Sequence, residues 1–426
     1  MDKIKINGGI PLKGEVKIGG AKNAALPLMA AAMLTEGRLK LNNLPHIADI
    51  STMANLLVQH GVDMELDAVE GSAGGGIISL CAKNIKSFEA PYDIVRKMRA
   101  SVLVLGPLLA RFGDAKVSLP GGCAIGTRPI DLHLQAFEKM GAKIELEEGY
   151  IKASVKGKLR GAEIHFEKVS VGATENVMMA ACLADGETTI INAAQEPEVV
   201  DLAQCLVKMG AKITGIGTGT LKIEGLEKLN GAEHSVISDR IEAGSYMIAA
   251  AITNGDIRLH GVDLSIMEST IERLTAAGVL IEELSDNSVR AARKQDKLKS
   301  VDAITLPYPG FPTDMQAQFM ALMCLAEGNS IINETIFENR FMHVSELTRM
   351  GADISIEGHK ALVKGVTELK GAELMATDLR ASVSLVLAAL AAKGQTVINR
   401  VYHIDRGYER IEEKMMMLGA DIERIK

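Results

Sequence analysis

Apolar positions along this chain alternate between two periodicities. In 201–210, Leu202, Cys205, Leu206 and Met209 follow i, i+3, i+4, i+7 spacing, which lays one apolar stripe along a helix. A glycine closes that stretch and predicts a C-cap with φ > 0. Short apolar runs such as Thr188-Thr189-Ile190-Ile191, and the alternation of Ile354 and Ile356 with polar neighbours, predict strands. The same succession recurs. Helix-ending glycines stand at Gly61, Gly141, Gly210, Gly278, Gly351 and Gly419, roughly every 70 residues. Earlier glycines stand at Gly37, Gly113, Gly186, Gly255, Gly328 and Gly394, and four positions after each comes Leu41, Val117, Ile190, Leu259, Ile332 or Ile398. A segment Leu-x-Gly-Ala-Glu occurs at 159–163, 229–233 and 369–373. Each unit reads helix, strand, loop, helix, strand, strand. The fold class is α/β, with six units in two lobes of three; a linear solenoid is the alternative.

The repeat frame locates charge. Fourteen or fifteen positions before each earlier glycine stand Lys22, Arg99, Gly172, Arg240, Asp314 and Arg380, each opening an apolar helical stretch. Cations at helix N-termini are locally unfavourable, so four in equivalent places point to anion binding, set against simple exposure with acids nearby. Twelve positions after the earlier glycines stand Glu198, Arg340 and Arg406, on strand-to-helix connections. The second unit is longer than the others and holds Pro120-Gly121-Gly122-Cys123-Ala124-Ile125-Gly126-Thr127-Arg128-Pro129. A thiol beside a cation in a glycine-rich loop is activated, whereas Cys81, Cys182, Cys205 and Cys324 read as structural. Asp314, in Phe311-Pro312-Thr313-Asp314, reads on its own as a helix N-cap. Gly74-Gly75-Gly76 reads as a hairpin tip.

Composition narrows the function. At roughly 100–200 residues per domain, 426 residues make two or three domains. A formal net charge of −7 and 3% aromatic residues without Trp disfavour nucleic acid and anionic membranes as partners. Five dispersed cysteines without a C-x-x-C pair argue against disulfides and zinc and fit a reducing cytoplasm. The apolar runs 100–110 and 381–392 are too short to cross a bilayer and read as buried helices. No secretory signal pattern opens the chain, and no phosphate-loop or dinucleotide fingerprint stands after a strand.

Several long motifs resemble those of the UDP-N-acetylglucosamine 1-carboxyvinyltransferases: Gly20 to Pro27, Pro120 to Pro129, Lys168 to Ala173, Phe311 to Gln318, Phe337 to His343, Ala376 to Arg380 and Tyr402 to Tyr408. The resemblance spans essentially the whole chain. It implies two inside-out α/β barrels, one over 22–236 with the Cys123 loop and one over 1–21 plus 237–426, with the active site in the cleft between them. It implies addition–elimination between phosphoenolpyruvate and the 3-hydroxyl of the nucleotide sugar, the first committed step of peptidoglycan synthesis. In that scheme Asp314 takes the hydroxyl proton and Cys123 protonates the methylene carbon. Lys22, Arg128 and Arg406 hold phosphate and carboxylate, with Arg380 nearby, and Asn23 touches the reacting groups. Arg99, Arg128-Pro129-Ile130-Asp131-Leu132, Lys168-Val169-Ser170-Val171, Asp314 and Ile336 bind the nucleotide sugar. Clustered cations suit a substrate with up to three negative charges. The resemblance implies no cofactor and no metal, and alkylation of Cys123 by the epoxide fosfomycin; no oligomeric state follows from it. Ala48 stands where some relatives carry a basic residue, and 69–76 looks like an insertion. The sister enzyme acting on shikimate 3-phosphate lacks the cysteine loop; it and an inactive paralogue are the alternatives.

Overall fold

Six helices in this chain carry apolar residues on nearly every side, so each must be enclosed by other elements. They are Lys22–Ala31, Leu105–Phe112, Val171–Ala181, Arg240–Ile252, Gln316–Met323 and Leu379–Ala391. In a computed structural model, which describes residues 2–67, 75–119 and 130–426, these six are buried; in Arg240–Ile252 every residue is. Two compact units divide the described residues, one within 20–237 and the other made of 2–19 with 238–426. In the unit of 238–426 the three helices all touch one another, and in the 20–237 unit Val171–Ala181 touches both of the others; each unit has its own hydrophobic core.

Six four-stranded sheets, three per unit, share one plan. In one of them Glu163–His165 runs parallel to Glu187–Ile191, with Ile164 opposite Ile190. Thr220–Glu224 then adds antiparallel, and Lys212–Thr214 follows on its far side. Ile190, Leu221 and Ile223 point into the core while their neighbours face outward, the period-2 pattern of a half-buried sheet. The six repeats expected from the glycine spacing are therefore present as α/β units. All six helix-ending glycines sit at φ between 88° and 102°, a conformation that costs a side-chain-bearing residue.

The first unit closes on itself: Ala232–Ser235 pairs parallel with Arg38–Leu44, setting His234 opposite Leu41. A linear solenoid has no such return. In the other unit Lys13–Lys17 pairs parallel with Asp256–His260, and Lys3–Asn7 lies between Gln395–Asn399 and Asp421–Ile425. The Leu-x-Gly-Ala-Glu segments lead into the parallel edge strands, and their glycine marks a backbone crossing. A Cβ on Gly161 would lie 2.2 Å from the Glu187 carbonyl oxygen, and one on Gly371 2.2 Å from that of Gln395. Among the described residues no helix is long and apolar enough to cross a membrane.

Candidate active site

The turn Thr313–Met315 feeds the buried helix Gln316–Met323 and presents Asp314. The N-cap expected of Asp314 is not what forms: Pro312 occupies the cap position and no side chain caps the turn. Arg340 Nη2 donates to Asp314 Oδ1 at 2.8 Å and Arg380 Nη2 to Oδ2 at 3.0 Å. Both arginine side chains are 4% exposed and that of Asp314 25%. Arg380 is the second residue of Leu379–Ala391, a helix whose N-terminus Asp378 caps by accepting from the Arg380 and Ala381 amides. A cation there opposes the helix dipole, and Asp314 supplies the compensating charge.

Burial disfavours the charged form of Asp314, but the guanidiniums of Arg380 and Arg340 outweigh it and hold the carboxyl well below the usual carboxylate range. Burial likewise works against Arg380, and Asp314 more than restores its charge. Beside the pair, Arg380 Nη1 donates to the Tyr408 hydroxyl at 3.3 Å, Tyr408 shares a 2.8 Å hydrogen bond with Ser245 Oγ, and Gln318 Nε2 donates to the Asp314 carbonyl at 2.8 Å. His343 is buried and held neutral, its pKa lowered to about 4 chiefly by burial. Arg340 Nη1 and Arg380 Nε are buried and donate to no described group. Arg406 ends the turn Val401–Arg406 and is half-buried. The preceding Asp405 is gripped by Arg424, whose Nη2 and Nη1 lie 2.6 and 3.0 Å from its two oxygens. Ile336, half-buried, lies in the loop after the strand Asn329–Asn333.

In the other unit Lys22 opens the helix Lys22–Ala31, and its Nζ lies 2.6 Å from Asp49 Oδ2. The two residues are 8% and 3% exposed. Asn23 beside it is exposed. Arg99 opens the 3-10 turn Arg99–Val104 and is half-buried. Burial, with the positive charge of Arg99 added, lowers the pKa of His133 to about 3. Asn176, inside the helix Val171–Ala181, fixes that neighbourhood: its Nδ2 donates to the Val102 carbonyl at 2.9 Å and lies 3.1 Å from His133 Nδ1, and its Oδ1 accepts from the Gly106 amide at 2.7 Å. Ser170 caps the same helix. Lys168 is exposed, Val169 and Val171 are half-buried, and Ile130, Asp131 and Leu132 lead into the helix Asp131–Lys139 with Asp131 exposed. Glu175 is buried, and burial first and then the charges of Glu198 and Glu196 push its carboxyl well above the usual range.

Of the residues singled out in the sequence, Asp314 and Arg380 are thus joined directly, with Arg340 as a third member. Lys22 is joined to Asp49, which carried no sequence signal. Cys123, Arg128 and Pro129 lie outside the described residues. So does most of the glycine-rich 69–76 stretch; the strands on either side of it, Asp63–Asp67 and Gly76–Cys81, form an antiparallel pair. Cys182, Cys205 and Cys324 are buried thiols pushed up to about 12. Among the described residues no group of His, Cys, Asp and Glu is placed to hold a metal ion.

Comparison with known proteins places the chain in a family. The pattern of the family described as EPSP synthase (3-phosphoshikimate 1-carboxyvinyltransferase) matches residues 6–415, and the chain belongs to that family. Within it the chain is 64% identical over 428 aligned positions to the UDP-N-acetylglucosamine 1-carboxyvinyltransferase of Paramagnetospirillum magneticum, covering 100% of this chain and 99% of the relative. It is 62% identical over 426 positions to the protein of that name from Granulibacter bethesdensis, covering 100% of both. The enolpyruvyl transferase NikO from Streptomyces tendae shares the fold with a TM-score of 0.89 at 24% identity, over 99% of this chain and 98% of that one. EPSP synthase from Acinetobacter baumannii shares it with a TM-score of 0.77 at 18% identity, over the whole of both chains.

Proposed function

We propose that this protein is a cytoplasmic transferase that moves the enolpyruvyl group of phosphoenolpyruvate to the 3-hydroxyl of UDP-N-acetylglucosamine and releases phosphate. The observation that carries the reading is the Asp314 carboxylate clamped between Arg340 and Arg380, in a chain with full-length relatives of that name. The carboxylate accepts the 3-hydroxyl proton as the oxygen attacks C2 of phosphoenolpyruvate, and the Cys123 thiol gives a proton to C3. The tetrahedral adduct then loses a proton from C3 and phosphate from C2, restoring the double bond. Lys22, Arg128 and Arg406 hold the phosphate and carboxylate, with Arg380 near. Asn23 contacts the reacting groups, and Arg99, residues 128–132, residues 168–171 and Ile336 hold the nucleotide sugar. No cofactor or metal enters the scheme.

Two guanidiniums stabilise the Asp314 anion and so lower its basicity. Anionic phosphoenolpyruvate bound near Arg380 competes with Asp314 for that guanidinium, so substrate binding itself raises the basicity of Asp314. Phosphate release with phosphoenolpyruvate and UDP-N-acetylglucosamine, run beside Cys123→Ala, tests the reading. Release is expected to require the nucleotide sugar and to collapse in the variant, and fosfomycin is expected to add to Cys123 by mass spectrometry. Release that requires shikimate 3-phosphate instead would overturn the substrate assignment, and no release would overturn the function.

A further inference from the structure

Glu334 follows the strand Asn329–Asn333 and is 1% exposed. A carboxylate this buried is costly unless its oxygens are satisfied, and four neutral donors satisfy it. Oε1 accepts from Thr305 Oγ1 and the Ile336 amide at 2.9 Å each and from the Phe337 amide at 3.2 Å. Oε2 accepts from Thr313 Oγ1 at 2.9 Å. Those contacts run by two routes to one place. Thr313 directly precedes Asp314. Phe337, held by its amide, lies with its ring 5.2 Å from the guanidinium of Arg340, and Arg340 donates to Asp314. One oxygen therefore fixes the turn that carries the carboxylate, and the other fixes the loop that carries its guanidinium partner. The same loop presents Ile336.

We infer that Glu334 is a positioning residue: it sets the Arg340–Asp314 pair, and through it the basicity of Asp314, without touching substrate. The inference rests on the enolpyruvyl-transfer reading. Glutamine is the diagnostic substitution. Its amide oxygen can replace Oε1, and its NH2 can donate to the freely rotating Thr313 hydroxyl, so both routes survive without the charge. Alanine cuts both routes, and Thr313→Val cuts only the one through Oε2.

The experiment is the pH profile of kcat for phosphate release by the wild type, Glu334→Gln, Glu334→Ala and Thr313→Val, with melting temperatures recorded alongside. Misplaced reacting groups cost up to ~100-fold in rate. Glu334→Ala is expected to lose about that factor in kcat and to raise KM for the nucleotide sugar through Ile336, and Thr313→Val to lose about tenfold in kcat with little change in KM. In both, the acid limb of the profile moves to higher pH as Asp314 loses its guanidinium. Glu334→Gln is expected to retain most of kcat and an unshifted limb. An acid limb unmoved in Thr313→Val, or a glutamine variant as impaired as alanine, would overturn the inference while leaving the reaction in place. Thr313→Val decides the matter if Glu334→Ala fails to fold. A wild type that releases no phosphate would instead overturn the functional reading and the inference with it.

Discussion

Asp314→Asn keeps the shape of the side chain and removes its charge, leaving Arg340 and Arg380 facing a neutral amide. Removing one partner from a buried ion pair costs about 3–5 kcal/mol. Asp314 keeps 25% of its side-chain exposure, so water recovers part of the loss and the lower end, about 3 kcal/mol, applies. At ~2–4 °C per kcal/mol for a domain of ~150–250 residues, the unit that contains Asp314 should melt ~6–12 °C lower at pH 7. The pH dependence is the sharper signature. The folded pKa of Asp314 is depressed, so its stabilisation is complete above the unfolded value of ~3.9 and is lost as pH falls below it. The gap between wild type and variant should therefore shrink by ~1.4 kcal/mol per pH unit below ~3.9. Urea titrations at pH 7, 4 and 3 read this directly. A variant as stable as wild type at pH 7, or a gap that stays constant into acid, would refute the account of a carboxylate stabilised by two guanidiniums.

Gly161→Ala would drive a methyl group into the Glu187 carbonyl; overpacking against backbone should cost at least ~1–3 kcal/mol, and a urea midpoint equal to wild type would contradict the backbone crossing. His133, with its pKa near 3, should show imidazole NMR shifts of the neutral ring throughout pH 5–9. Because its folded value is lowered, it should also withdraw ~1.4 kcal/mol of stability per unit as pH falls below ~6.5. Titration of the ring near neutrality would mean that its surroundings are wetter than described.

The repeat was legible because a helix that must turn back at a fixed place needs a residue tolerant of φ near 95°, and six glycines announce it. The edge strands were not legible. Ala303–Ile304 and Glu89–Ala90 are two residues each, too short to show a period, and the glycine of Leu-x-Gly-Ala-Glu betrays a crossing only once its partner strand is in place. The site divides the same way. Lys22, Arg380 and Asp314 stood out by their place in the repeat. Their pairing did not, because Arg340 and Arg380 lie 26 and 66 positions from Asp314, and Asp49 is an ordinary first-turn acid of the helix Ala48–His60. Arg340 does carry a signal, its place twelve residues after Gly328. Glu334 and Asn176 carried none; a buried polar residue looks like any other until its donors are counted.

The order of strands in the sheets also sets a timetable for synthesis. Every strand in the 20–237 unit finds its partner before residue 238 leaves the ribosome, because Ala232–Ser235 returns to Arg38–Leu44. The strand Lys3–Asn7 is less fortunate. Lys3–Asn7 pairs with Gln395–Asn399, with Asn7 and Gln395 388 positions apart, and at ~5–20 residues per second that is a wait of roughly 20–80 s. Until then Ile4 and Ile6, destined for zero exposure, have no sheet to bury them. One half of the molecule can be finished while the other still lacks its last strands, and Ile4 and Ile6 are apolar surface that a chaperone would meet in the interval.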